Sequence, residues 1–439
     1  MKKLHFCIAA LLVISVGLFA SGTKETAQAS ASGNQSVTIT FWDENAGPER
    51  TPYLKQIIEW YHESQDKVRV EYVGIPQSQA VEKMNVAIAA NATPDIAGIQ
   101  SAWLSGLIAQ KALVNLDQKF SSWEDSANFD TGAINAVRSR AIDKSLYMLP
   151  TRVSYNALWY RIDRFAEAGM AAPDTWDEFF TAIEKLTDVS KGQYGYSMRG
   201  GSGSGVMLQI IMFAYAGNPE FFDANGKSAL RDPAMLEFLT RYANIYNKYT
   251  SAGDVNYGYK EMVGAFDSGS ANMIQHNLGS LAEHQKTLPE GTYGTVFFPK
   301  SVKGYYTSTV PSPAGYGIFE NSKHKEEAWD FLKFIGSEKA ISYWNEMIGE
   351  FPPRLDCLDH EWVVNANHLK NITAVMQSPD TVYVEVPQFL PEYNRILTEI
   401  VDPGFQRVLL KRMSPADFLD SWATAIETAY ARYLANVKN

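Results

Sequence analysis

The sequence predicts an α/β protein built on largely parallel sheets, with a helical C-terminal third. Two patterns predict it. From Val37 onward, short β-rich runs alternate with amphipathic helical stretches, the signature of βαβ units. Toward the C-terminus the strands give out and helical periodicity takes over. At 439 residues the chain has room for two or three domains. Its 46% hydrophobic and 20% charged residues supply a large core and exclude wholesale disorder. Lys and Arg total 39 against 49 Asp and Glu, a net charge of −10 with no basic block, so the chain lacks the footprint of nucleic-acid binding.

The first 22 residues read as a cleaved secretory signal. Lys2 and Lys3 form a positive n-region, Phe6 to Ala20 is an apolar run, and Ala20-Ser21-Gly22 supplies small residues for cleavage. The run is too short for a spanning helix of about 20 residues. Cys7 leaves with the signal and Cys357 remains alone, so no internal disulfide is expected. No cysteine stands at the cleavage region to carry a lipid anchor, and an unanchored exported protein is retained best in a periplasm. Residues 23–36 are small and polar and read as a flexible leader.

The elements then follow in order. Val37 to Trp42 is β-rich, and Leu54, Ile57, Ile58 and Tyr61 share one helical face. Val68 to Val73 alternates like a strand, and a second helix carries Val81, Met84 and Ile88 inward. Pro94 to Ile99 is a third strand, leading through Trp103 into a short helix. Val153 to Tyr160 is an aromatic-rich strand. Thr175-Trp176-Asp177-Glu178 is a capping box opening a helix to Leu186. Asp223 to Gly226 is a turn, and Asp232-Pro233 starts a helix running to about Tyr249. Strands recur at Ala271–Gln275, Tyr293–Phe298 and Gly315–Phe319. A helix from His324 aligns Ala328, Phe331, Leu332 and Ile335, and Ser414-Pro415 starts a final amphipathic helix reaching Leu434.

Enzyme signatures are missing: there is no HExxH, no paired Cys-x-x-Cys and no G-x-S-x-G. The histidines are scattered, with His276/His284 and His360/His368 each eight apart, and no cluster completes a metal site. No cofactor is called for. Asp43-Glu44 follows the first strand, where open α/β sheets bind ligands. Adjacent carboxylates on one loop suit hydrogen bonds to ligand hydroxyls better than the opposed pair of a glycosidase. Gly200 to Gly205 precedes an apolar helix and offers free N–H groups to an anion or hydroxyl, without the ending of a nucleotide P-loop. The aromatics, 10 Trp, 23 Tyr and 22 Phe, include Trp42, Trp103, Tyr155, Tyr305, Tyr316 and Tyr393 at strand ends or loops. A ring beside carboxylates and amides suits a sugar, whose C–H face stacks while its hydroxyl rim takes hydrogen bonds.

In this order the segments resemble the family 1 extracellular solute-binding proteins of ABC importers, the group containing the maltodextrin binders. Val37-Thr-Ile-Thr-Phe-Trp42 is similar to the family's first strand and Ala92-Thr-Pro-Asp95-Ile-Ala97 to its third. Tyr160-Arg-Ile-Asp163-Arg-Phe165-Ala-Glu-Ala-Gly169, continuing to Pro173-Asp-Thr-Trp-Asp-Glu178, is similar to its most recognisable segment. Phe222 to Gly226, Phe266 to Met273 and Glu327 to Leu332 follow in family order.

The resemblance implies two α/β lobes joined by crossing strands, each lobe built from two chain stretches: 37–151 with 275–335, and 152–274 with 336–439. The ligand would lie between them, and closure would present the protein, expected as a monomer, to a membrane permease. By position, Trp42, Asp43 and Glu44 would line one wall with Ser101 and Trp103 nearby. Ser154, Tyr155 and Asn156 would sit by the first crossing, and Ser202 and Ser204 where the second lobe meets ligand. Asn277, Tyr316, Arg354 and Tyr393, the last similar to a late stacking aromatic, complete the expected set. The hinge is expected near Thr151–Arg152, Asn272–Gln275 and after Ile335. Where the family often reads Asn-Gly-x-Trp, this chain has His276-Asn277-Leu278-Gly279; without that stacking Trp, a mono- or disaccharide, polyol or sugar derivative fits as well as a long glucan. The implied function is non-enzymatic reception of a carbohydrate. The alternatives are another small solute on the same fold, such as a phosphorylated polyol or polyamine, and an exported carbohydrate-active enzyme. A phosphate would demand converging Arg or Lys, and the expected wall offers Arg152 and Arg354.

Overall fold

The computed structural model describes residues 36–309, 312–376 and 378–437. The expected signal and nearly all of the leader lie outside the described residues. Among the described residues ten strands carry the architecture: β1 (Val37–Asp43), β2 (Val68–Gly74), β3 (Ile96–Gln100), β4 (Leu149–Ser154), β5 (Asn156–Arg161), β6 (Met273–Asn277), β7 (Tyr293–Val296), β8 (Tyr306–Thr309), β9 (Ser312–Ile318) and β10 (Thr381–Val384).

The first sheet has the order β2-β1-β3-β9-β4. β1 pairs parallel with both β2 and β3, because a helix returns the chain after each strand. Helix Thr51–Ser64 carries Pro52 in its first turn and buries the four residues its periodicity marks: Leu54, Ile57, Ile58 and Tyr61. In helix Gln77–Ala89 the buried positions are Ala80, Met84 and Ala87. Met84 is buried and Ile88 packs half-buried on the core as expected, while Val81 is half-buried. β9 then joins antiparallel to β3 and β4.

The second sheet, β6-β5-β7, is antiparallel throughout. The parallel arrangement expected in both halves therefore holds for β1, β2 and β3 and for the separate two-stranded sheet in which β10 pairs parallel with β8, but not for this sheet. Long excursions separate β5, β6 and β7, so the order of elements along the chain does not fix strand direction. The aromatic strand expected over Val153–Tyr160 is two strands broken at Tyr155: β4 belongs to the first sheet and β5 to the second. The Thr175–Glu178 capping box forms as expected, with both reciprocal hydrogen bonds present.

Two hydrophobic cores result. The first draws on residues 39–149 and 316–348, the second on 153–298 and 351–429, with Ala133 reaching into the second. The segment from Met273 to Phe298 buries its side chains in the second core. The boundary and hinge expected near residue 275 are therefore displaced: β6 is an interior partner of β5, and the chain passes between cores at 149–153, 298–316 and 348–351. Two passages are tied together by Val153 and Phe351, whose N–H groups donate to each other's carbonyls at 2.8 and 3.2 Å. Among the described residues no helix is long and apolar enough to cross a membrane.

Candidate functional site

A cleft of about 510 Å³ opens between the two cores, against the C-terminal ends of β1, β3, β4 and β6. The first core contributes the loop Asn45–Arg50, with Gln77 and Gln100; the passages contribute Arg152, Ser154, Ser312 and Glu350. The second core contributes Arg199, Tyr259, His276, Asn277, Gly279 and Glu283.

The cleft floor is ionic. The Oε1 of Glu350 lies 3.5 Å from Arg152 and 3.8 Å from Arg50, and Arg152 also reaches Glu44 at 3.5 Å. Gln100 donates to Glu44 at 2.8 Å, and the Tyr72 hydroxyl donates to Asp43 at 2.7 Å. Burial holds the Asp43 and Glu44 carboxyls above the usual range, opposed by their hydrogen bonds and arginines. Burial likewise lowers Arg50. Such charges are tolerable only as a mutually neutralising set. The set is incomplete: Arg50 Nη1, Glu350 Oε2, Ser154 Oγ and Glu283 Oε2 are buried without a hydrogen-bond partner. Unpartnered buried polar atoms that gather in one cleft mark where a polar ligand would complete them.

A side pocket of about 110 Å³ shares Ser154, Asn277 and Ser312 with the cleft and runs inward past Tyr155, Asn156, Met207, Phe298, Gln388 and Tyr393. Asn156 Oδ1 and Gln388 Oε1 are unpartnered there, while the Tyr393 hydroxyl bonds Gln209 at 2.9 Å.

A sequence profile of the bacterial extracellular solute-binding proteins matches residues 47–341, two thirds of the chain. The chain belongs to that family. Full-length likeness agrees: this solute-binding protein is 23% identical to the galactooligosaccharide-binding protein of Bacillus subtilis, over 98% of this chain and 97% of that one. Its fold matches the GacH receptor of Streptomyces glaucescens, crystallised unliganded and with acarbose, at a TM-score of 0.77 and 20% identity, covering 90% and 98% of the two chains. It also matches a Thermotoga lettingae solute-binding protein bound with α-D-tagatose at a TM-score of 0.77 and 22% identity, covering 90% and 100%. The shared fold is the two-lobe, mixed α/β fold of the periplasmic binding proteins.

The binding protein gathers only part of the expected site. Ser154 and Asn277 line the cleft, and Tyr155, Asn156 and Tyr393 line the side pocket. Asp43, Glu44 and Tyr316 lie beneath the cleft around a cavity of about 10 Å³, room for one water. The remaining six are corrected by the structure. Trp42 is half-buried on the first core with Lys83 4.7 Å from its ring centre, and Trp103 packs on that core too. Ser101 is buried, donating to the Pro313 carbonyl. Arg354 is clamped by Asp356 at 2.6 and 2.9 Å and by Asp125 at 3.1 Å. Ser202 is exposed outside the cleft, its carbonyl accepting from Arg199 at 2.6 Å. Ser204 is fully buried, because the N-terminus of helix Ser204–Ala216 already has its anion: Asp402 accepts from Gly203 N–H, Ser204 hydroxyl and Gly205 N–H at 2.7–3.0 Å.

Sequence reasoning missed Arg50, Arg199, Tyr259, His276, Glu283 and Glu350 as cleft residues. Arg50 could have been found seven residues after Asp43 on the same loop. His276 adjoins the expected Asn277 and Arg199 directly precedes the Gly200–Gly205 loop, whereas Tyr259, Glu283 and Glu350 sit on segments with no motif signal.

Proposed function

We propose that the protein is the receptor of an ABC importer for a neutral carbohydrate, a mono- or oligosaccharide or polyol, released to a permease after lobe closure. The observation that carries this is charge balance. Three arginines and three glutamates line the cleft, Arg50, Arg152 and Arg199 with Glu49, Glu283 and Glu350. The expected argument against a phosphorylated ligand rested on too few cations. Cations are plentiful, yet carboxylates match them in number along the cleft, and a phosphate would face Glu350 Oε2 and Glu283 Oε2. Sugar hydroxyls both donate and accept, so one neutral ligand serves the free carboxylate and guanidinium atoms together. Relatives that bind galactooligosaccharide, acarbose and tagatose support the same class.

In this reading the protein binds without catalysis. Asp43 and Glu44 are engaged by arginine, glutamine or tyrosine and adjacent on one loop, rather than opposed across an open gap as glycoside hydrolysis needs. The ligand bridges the Arg50–Glu350 floor and the Arg199–Glu283 wall, so its binding free energy favours the closed state. Export to the periplasm through the N-terminal signal completes the picture. The test is thermal shift of the protein against a sugar and polyol panel, then small-angle scattering with the strongest hit. A rise in Tm with a smaller radius of gyration is the expected result. A shift with phosphorylated polyols alone would replace the neutral ligand, and reducing-sugar release from polysaccharide would restore the enzyme.

A further inference from the structure

His276 is the penultimate residue of β6 and lines the cleft while only 5% exposed. Its Nδ1 lies 3.2 Å from the carbonyl oxygen of Asn277. A carbonyl only accepts, so the proton on that line belongs to Nδ1. A second proton is opposed by burial and then by the charge of Arg199, which push the imidazole down to about 3. Among the described residues no carboxylate stands within 4.0 Å of this ring to favour the cation. Tyr259 lies against it at 4.7 Å between ring centres. The ring is therefore a neutral imidazole with one proton, and Nε2 keeps a lone pair.

The turn behind it is held from the interior. Gly279 N–H donates to Asn277 Oδ1 at 3.1 Å, and Trp159 Nε1–H reaches the Asn277 carbonyl at 3.3 Å. Ser280 Oγ lies 3.1 Å from that carbonyl and 3.1 Å from His284 Nε2, whose Nδ1 meets Asp267 at 2.5 Å. This Ser280–His284–Asp267 chain has the order of a hydrolase triad, but Ser280 and His284 are fully buried and line no part of the cleft. It is scaffold for the carbonyl that fixes His276.

We propose that His276 is a specificity-determining residue of the cleft, held by the Asn277 carbonyl in its Nδ1–H form so that Nε2 accepts a hydroxyl of the bound sugar. The inference rests on the carbohydrate reading above. It requires a ligand with a free hydroxyl at that point; a deoxy or O-methyl group there leaves Nε2 unpartnered.

Long-range ¹H–¹⁵N spectra of the labelled, ligand-free protein test the tautomer directly. The expected result is one protonated Nδ1, an unprotonated Nε2, and no titration of His276 between pH 5 and 8. Calorimetry then follows D-tagatose, ribitol, galactobiose and maltotriose on wild type, His276→Gln and His276→Phe. For whichever sugar binds, His276→Phe should lose roughly tenfold in affinity, the worth of one hydrogen bond to a buried acceptor, while His276→Gln, whose amide oxygen reaches the Nε2 position, recovers most of it. An Nε2–H tautomer, an imidazolium at pH 7, or unchanged affinity in His276→Phe overturns the inference while the carbohydrate reading stands. Binding of none of the four sugars by wild type overturns the hydroxyl acceptor together with its premise, whatever the tautomer.

Discussion

The Gly200–Gly205 loop and the cleft floor both look like ligand sites in the sequence, and they differ in one physical respect. The loop's donors at Gly203, Ser204 and Gly205 are all taken by Asp402 from 199 residues away. On the floor, Arg50 Nη1, Glu350 Oε2 and Ser154 Oγ have no partner. A Gly-rich turn before a helix is an anion site by geometry, but it serves a ligand only if the chain has not filled it. The candidate site lies where hydrogen bonding is left incomplete.

Glu350 belongs to both descriptions, one oxygen spent on two arginines and the other free, so its removal should have the largest effect. Glu350→Ala leaves Arg50 and Arg152 short of an acceptor, and a cost of about 3 kcal/mol or more is expected in urea unfolding. A loss under 1 kcal/mol would show that Glu44 and Asp43 suffice. Asp402→Ala should come next, at about 2 kcal/mol for the uncapped helix and stranded donors. Sugar affinity should hold in that variant, because the loop takes no part in binding; a tenfold rise in Kd would erase the contrast between the regions. Ser154→Ala reverses the pattern. With no partner in the free protein, its Oγ should cost less than 0.5 kcal/mol of stability, while calorimetry should show up to tenfold weaker sugar binding.

Asp254 sharpens the comparison through pH. It sits at the base of the loop, accepting from Met198 N–H at 2.6 Å, and burial pushes its carboxyl up to about 7. The folded state thus keeps a proton that the unfolded chain releases near pH 4, so stability should fall as pH rises from about 4 to 7 and then level. Asp254→Asn should flatten that part of the Tm–pH curve, and an unaltered slope would place the titration elsewhere. The smallest effect is expected at Trp42→Ala. Its ring lies on the first core beneath Lys83, so sugar affinity should stay within twofold, and a large loss would return Trp42 to the cleft.

Most element positions were legible in local sequence pattern. Period-3.6 spacing located the helix burying Leu54, Ile57, Ile58 and Tyr61, the Thr175–Glu178 box located a helix start, and ordered segments pointed to the family. These signals are local: they depend on neighbours within a turn or two of chain. Long-range contacts set the break of Val153–Tyr160 at Tyr155 between sheets, the antiparallel pairing of β5 with β6 and β7, and the partnering of Arg354 and Ser204. They also brought Arg50, Arg199, His276, Glu283 and Glu350 to one cleft. A polar side chain's role depends on whether a partner from a distant segment has satisfied it, and no local pattern records that.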